Sequence, residues 1–238
     1  MNEHESLLPP YVPTRRSVRA LGILFVLSAA ISWIAVGYDF SALRLSTSGH
    51  PVVPEERIAH SIFGEWIGIA QLVCLAVTGV TFLTWLHRVR VNVRAFGVRR
   101  LAYGREWTVL GFLVPALNAL RPYQVIREIW QASDPSTGDP LGWKTVATPP
   151  LLALWWGLFV AYFALEGLSV FTLGVAVSLE RIQMGHAFGL AADVCGAVSA
   201  SFAYFVVVRI SEAQEAKRVA WGRGERRALP FDPRDAVA

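Results

Sequence analysis

The sequence predicts an all-α fold of the polytopic membrane class, with four transmembrane helices plus a re-entrant or interfacial amphipathic segment. Three observations predict it. Four apolar runs are long enough to cross a hydrocarbon core, which takes about 20 apolar residues. Hydrophobic residues make up 54% of the 238-residue chain and charged residues only 17%, against about a quarter charged in soluble domains. The 22 lysines and arginines are also distributed very unevenly around the runs.

The first 17 residues contain the polar, proline-rich stretch MNEHESLLPPYVPT and are expected to be a disordered N-terminus. The first span is placed at 18–37. Arg15, Arg16 and Arg19 at its start resemble the charged region of a signal peptide, but the apolar core is long and no A-x-A-like site follows it, so an uncleaved anchor is expected. The second span is placed at 62–86, the third at 150–177 and the fourth at 187–210. These runs make one membrane domain, 18–210, because no polar stretch is long enough to form a soluble domain with its own core. Pro51 and Pro54 argue against a long helix in the connection 38–61. The tail 211–238 starts with SEAQEAKRVAW, which can extend the fourth span as a short helix before Gly222, Gly224, Pro230 and Pro233 break it.

Orientation follows from the basic residues beside each span. With four crossings, nineteen of the 22 lie on one side, and Arg44, Arg57 and Arg181 on the other. Both termini and the connection between spans two and three are therefore expected to be cytoplasmic. Within that connection, the apolar piece 107–120 is 14 residues long, about 21 Å as a helix at 1.5 Å per residue. That is short of a ~30 Å core, and both flanks are basic, so the segment 107–133 is expected to dip into the bilayer or lie on it. Pro122 suits the first turn of a new helix. From there Tyr123, Ile126, Ile129, Trp130 and Ser133 gather on one face, and Gln124, Arg127, Glu128 and Gln131 on the other, as in a helix lying on a membrane surface.

The same segment carries a resemblance. TWLHRVRVNVRAF (84–96), followed by WTVLGFLVPALNALRPYQVIREIWQASDP (107–135), resembles bacterial membrane proteins of the domain of unknown function 4328 family. Trp85, Arg88, Asn92, Trp107, Pro115, Asn118, Pro122 and Trp130 match its pattern. The resemblance implies several spans around a cytoplasmic motif in a bacterial plasma membrane, and it implies no activity.

Ionisable groups inside spans are costly and mark candidate sites. Glu65, Glu166 and Asp193 all fall in the outer halves of their spans, with His60 and His186 near the outer ends of spans two and four. Such acids and imidazoles suit a cation or proton site. Equally, they suit structural pairing with arginine, Gln71 or hydroxyls. No metal is assigned and no cofactor is expected. Small residues at four-residue spacing (Gly64 and Gly68; Ala153, Gly157 and Ala161; Ala192, Gly196 and Ala200) predict close helix approach, which would bring Glu166 near Asp193. Cys74 and Cys195 lie in apolar runs and read as packing residues rather than a disulfide framework.

The chain shows no H-E-x-x-H, G-x-S-x-G or G-x-x-x-x-G-K-[ST] pattern, and no nucleic-acid-binding motif. A non-enzymatic scaffold or partner-binding membrane component is therefore expected, in contact with anionic headgroups through its basic side and with a membrane protein partner or a second copy. The alternative is a small ion- or proton-coupled channel or transporter using the outer-half carboxylates.

Overall fold

A computed structural model describes residues 9–47, 54–98, 101, 120–137 and 142–222. Among the described residues the chain is helical, with α1 (Arg15–Thr47), α2 (Pro54–Ala95), α3 (Arg121–Ala132), a 3-10 turn (Gly142–Thr145), α4 (Pro150–Gly174) and α5 (Leu179–Gly222). Four of these, α1, α2, α4 and α5, are long and apolar enough to span a membrane.

The helices run well past their apolar runs. At 1.5 Å per residue, the 42 residues of α2 and the 44 of α5 cover roughly twice the ~30 Å of hydrocarbon. Backbone hydrogen bonding continues wherever no breaker intervenes, whereas an apolar window ends at the first polar cluster. Thus α1 starts at Arg15 and continues through 38–47, and α2 starts at Pro54, which correct the reading of 38–61 as a connection without long helix. Pro54 occupies a first helical position, where a missing N–H costs nothing; Pro51 lies outside the described residues. Pro150 opens α4 in the same way after an extended Pro149 (φ −69°, ψ 144°). Residues 9–14, in the segment expected to be disordered, are ordered ahead of α1, and Thr14 is buried.

Helix α2 ends by a glycine cap. Gly97 adopts φ +67°, its N–H donates to Arg94 O at 2.9 Å, and the Val98 N–H donates to Val93 O at 3.4 Å. This is the Schellman pattern, with the left-handed residue that only glycine adopts without cost. Val93 and Val98 supply its apolar contact and both are buried.

The chain forms two compact units. One comprises Met1–Arg15, Trp85–Thr148 and Val208–Ala238, and the other comprises Arg16–Thr84 and Pro149–Val207. The second unit holds the apolar bundle, and unlike a soluble domain it exposes large apolar side chains while its interior includes polar ones. Ile23, Val26, Trp66, Leu72, Val80 and Phe171 are exposed, while Ser32, Asp39, Thr78, Ser169, Asp193 and Ser199 are buried. Apolar side chains outside and hydrogen-bonding groups inside are what a bilayer selects, because lipid gives no hydrophobic drive for burying one apolar group against another.

Its packing follows the small residues selectively. Tyr38 covers Gly64, where a methyl group would collide, and Tyr162 and Ser32 lie over Gly196, where a methyl group would be tight. The face Ala153–Gly157–Ala161 does not close as expected. Gly157 is exposed with nothing within 4 Å of an added Cβ, because the buried face of α4 is the one carrying Leu152, Trp155, Trp156, Ser169 and Thr172.

Candidate functional sites

In the unit that contains the end of α2, the whole of α3 and the end of α5, one polar network joins four segments. Asn92 on α2 is fully buried. Its Oδ1 accepts from the Val12 N–H at 2.7 Å, and its Nδ2 donates to Val12 O at 2.9 Å and to Gln214 Oε1 at 3.0 Å. The amide thus treats the extended arm 9–14 as a neighbouring strand would. Gln214 Nε2 donates onward to Val89 O at 2.9 Å and Ser133 Oγ at 3.0 Å, and Ser133 Oγ donates to Ile129 O at 2.7 Å. Trp85 is fully buried, with its indole N–H donating to Ser211 Oγ at 3.0 Å.

Lys217, also buried, donates to Ala132 O at 3.0 Å, Asp134 O at 3.1 Å and Thr137 Oγ1 at 3.0 Å. The first of these belongs to the last turn of α3, where the helix dipole favours a cation. The Phe96 and Trp221 rings flank the ammonium at 5.7 and 5.6 Å, within cation–π range.

Glu128 and Gln131 correct the expected surface helix. The spacing puts both on its polar, outward face, and both are buried. Glu128 is consumed by Arg90 (Nη1–Oε2 2.5 Å, side chains 5% and 1% exposed) and Gln131 by Val146 O at 2.6 Å. Of that face only Arg127 is exposed, and Gln124 is half-buried. Helix α3 is enclosed by protein on two sides.

Tyr11 fixes the arm from its other edge. Its hydroxyl donates to Glu215 Oε2 at 3.1 Å, its ring meets Phe96 at 5.9 Å, and the Arg218 guanidinium lies 5.6 Å over it. Burial first, then the Glu215 charge and hydrogen bond, push its pKa up to about 12, against a partial opposing pull from Arg218. A folded pKa above the unfolded value means that the contact is fully present below pH 10 and is lost as pH rises through 12. We therefore expect protease cleavage within residues 9–14 to accelerate between pH 10 and 12 in the native chain. Tyr11→Phe should already be cleaved faster at pH 8 and lack that alkaline rise.

In the bundle unit, the candidate groups divide. His186 Nδ1 lies 2.7 Å from Asp39 Oδ1, and His60 Nε2 lies 2.9 Å from Ser41 Oγ. Both imidazoles contact Tyr38, His60 stacked at 4.4 Å and His186 edge-on at 6.0 Å. Ser41 donates its own proton to Tyr38 O at 2.7 Å, so its oxygen is left to accept from the His60 Nε2–H. Asp193 is buried and accepts from Gln71 Nε2 at 2.5 Å. Glu166 is half-buried, within electrostatic reach of Asp39 and Asp193. Glu65 is exposed. Among the described residues, no three His, Cys, Asp or Glu side chains gather in a metal-holding group. The sequence reading missed Asp39, which continues the buried α1 stripe Ser17, Leu21, Phe25, Ser32, Ala35. That helical spacing was its signal.

A family model described as a domain of unknown function, DUF4328, matches residues 52–212. The chain belongs to the DUF4328 family. No curated relative and no solved structure matches it. The DUF4328 match takes in Trp85, Arg90, Asn92, Glu128, Ser211 and Asp193, while Tyr11, Val12, Asp39, Gln214 and Lys217 lie outside it. Of the residues that carried the resemblance, Trp85 and Asn92 hold the network, Arg88 is half-buried, Pro122 is buried in the first turn of α3, and Trp130 is half-buried on that helix. Trp107, Pro115 and Asn118 lie outside the described residues, with the rest of 107–119.

Proposed function

We propose that this DUF4328 protein is a non-enzymatic scaffold or partner-binding component of the bacterial cytoplasmic membrane, with both termini cytoplasmic. One observation carries the reading. In the unit that bears the family residues, the buried polar groups Asn92, Gln214, Ser133, Lys217 and Glu128 are occupied by one another or by backbone. They act as structural ties that hold a rigid platform. Its exposed Glu212 and Glu215 are paired with Arg209 and Arg218, and Arg15, Arg127 and Lys144 are exposed as well, which leaves a cationic excess among the described residues. Such a surface suits anionic headgroups and the acidic face of a membrane partner or a second copy.

The test is purification of the full chain from native membranes in mild detergent, comparing the natural sequence with Arg127→Glu/Lys144→Glu. A stoichiometric complex that the double reversal abolishes, with thermal unfolding unchanged, is expected. A natural chain that elutes as a lone monomer would sink the proposal.

A further inference from the structure

The interior of the bundle unit carries a graded line of polar groups. At the end where α1 passes Tyr38, Asp39 pairs with His186, and the Asp39 carboxylate and Ser169 hydroxyl lie where a side chain on Gly189 would begin. Deeper in the same interior lie Asp193 with Gln71, Ser32 over Gly196, and then Ser28 with Cys74 (3.1 Å). One turn beyond Cys74 on the buried face of α2 is Thr78, about 10 Å below Gln71 at 1.5 Å per residue. The buried side chains beyond it are mainly apolar, namely Leu21, Phe25, Phe82, Leu152 and Trp155, with the Phe82 and Trp155 rings 6.1 Å apart and the Ser199 hydroxyl donating to Trp155 O at 3.4 Å.

Two features of this line are not explained by packing. First, among the described residues of the unit no lysine or arginine is buried, while Asp39 and Asp193 are. Asp39 has the His186 imidazole beside it, whereas Asp193 is bonded by the neutral Gln71 amide, and a buried carboxylate without a basic partner is costly unless a proton or another cation accompanies it. Second, the Thr78 hydroxyl is buried, with the residue 8% exposed, and has no hydrogen-bond partner. On the same helix, Thr81 and Thr84 donate to Val77 O and Val80 O at 2.8 Å each, the usual way for a helical threonine to satisfy itself. Thr78 forgoes that bond at the inner end of the polar line.

We propose that this interior is a proton-conducting half-channel, entered at the Asp39–His186 pair, passing Asp193 and ending at Thr78 against a plug of Leu21, Phe25, Phe82, Leu152 and Trp155. The titratable groups facing it are Tyr38 and Asp39 from α1, His60 and Cys74 from α2, Tyr162 and Glu166 from α4, and His186 and Asp193 from α5, with the exposed Glu65 within electrostatic reach of Tyr38. Protons suit the line better than metal ions. Within its pairs, His186–Asp39, Gln71–Asp193 and Ser28–Cys74, the polar atoms stand 2.5–3.1 Å apart, at hydrogen-bonding distance and with no room for a hydrated ion inside a pair. Carboxyl, hydroxyl and imidazole groups can each accept a proton on one side and release one on the other, so no net chemistry is required. This function is additional to partner binding and uses different residues.

The experiment uses the purified full chain in liposomes carrying an internal pH dye, with a potassium diffusion potential drawing cations inward. Phe82→Ala removes a ring from the plug and should raise proton entry at least tenfold over the natural chain; adding Asp193→Asn should return it to the natural level. Phe82→Ala vesicles as tight as the natural chain, or a leak indifferent to Asp193→Asn, would overturn the half-channel. Because the plug variant can lose its fold, the natural chain is also treated with a lipophilic carbodiimide, which modifies protonated carboxyls. Mass spectrometry should find Asp193 modified and Glu128, held by Arg90, unmodified; an unmodified Asp193 would overturn the proposal. Neither readout involves a partner, so failure here leaves the platform reading standing.

Discussion

Glu128→Ala is expected to destabilise the chain by about 3–5 kcal/mol, the range seen when one member of a buried ion pair is removed. Arg90 is 1% exposed, and Glu128 is its hydrogen-bonding carboxylate at 2.5 Å. Its Nε and Nη2 already lack partners, so the truncation leaves a buried guanidinium with no anion beside it among the described residues. The cost comes from stranding a charge, and that makes a sharper prediction than the size alone. Arg90→Met together with Glu128→Ala should cost less than Glu128→Ala by itself, because the double change removes the stranded charge as well. Glu128→Gln, which keeps an acceptor near Nη1, should fall between the natural chain and Glu128→Ala. Denaturant-driven unfolding in detergent, followed by tryptophan fluorescence, measures all three. A double variant at least as unstable as the single would show that the pair matters for packing rather than for charge.

The four spans were legible because a bilayer reads sequence in one dimension. A run such as Ile62–Leu86 must be apolar over its whole length, whichever neighbour it meets. The helix ends were less legible, since Arg15 and Thr47 lie where apolar character has gone but nothing breaks the backbone. Only punctuated ends, such as Pro150 and Gly97, announce themselves. Helix α3 exposes a different limit. Its spacing correctly predicts a helix with Pro122 in the first turn, but amphipathic reading equates polar with exposed. Glu128 and Gln131 escape that rule because partners distant in sequence, Arg90 and Val146, wait for them. No local pattern reports a partner 38 residues away.

The outer residues show the same split. His60, His186 and Asp193 were found by residue type and depth, whereas Asp39 was passed over because it follows the last apolar residue of its run. Its helical spacing with Ser32 and Ala35 was readable in the sequence, but its contact with His186 appears only once α1 and α5 are packed.

Asn92→Ala should have the second large effect, about 2–4 kcal/mol, and it should act locally before it acts globally. Asn92 makes three hydrogen bonds from a fully buried position, and each buried partner left unsatisfied costs about 1–3 kcal/mol. Two of the three are the N–H and C=O of Val12, which belong to an arm that can lift away and bond to water. The third, Gln214 Oε1, cannot leave, because the same amide is tied to Val89 and Ser133. The loss therefore divides in two. Release of the arm relieves the Val12 groups at the expense of the Tyr11 contacts, while Gln214 retains an unpaired oxygen inside the platform. Hydrogen–deuterium exchange should show fast exchange at Val12 under conditions where the amides of Val125–Ile129 in α3 stay protected, with global unfolding shifted to lower denaturant. Asn92→Asp should be worse than Asn92→Ala, since it keeps the acceptor for the Val12 N–H but turns a second carboxylate oxygen toward Val12 O and Gln214 Oε1. If Val12 exchanges at the natural rate in Asn92→Ala, the arm is held by Tyr11 alone and the network is not what orders it.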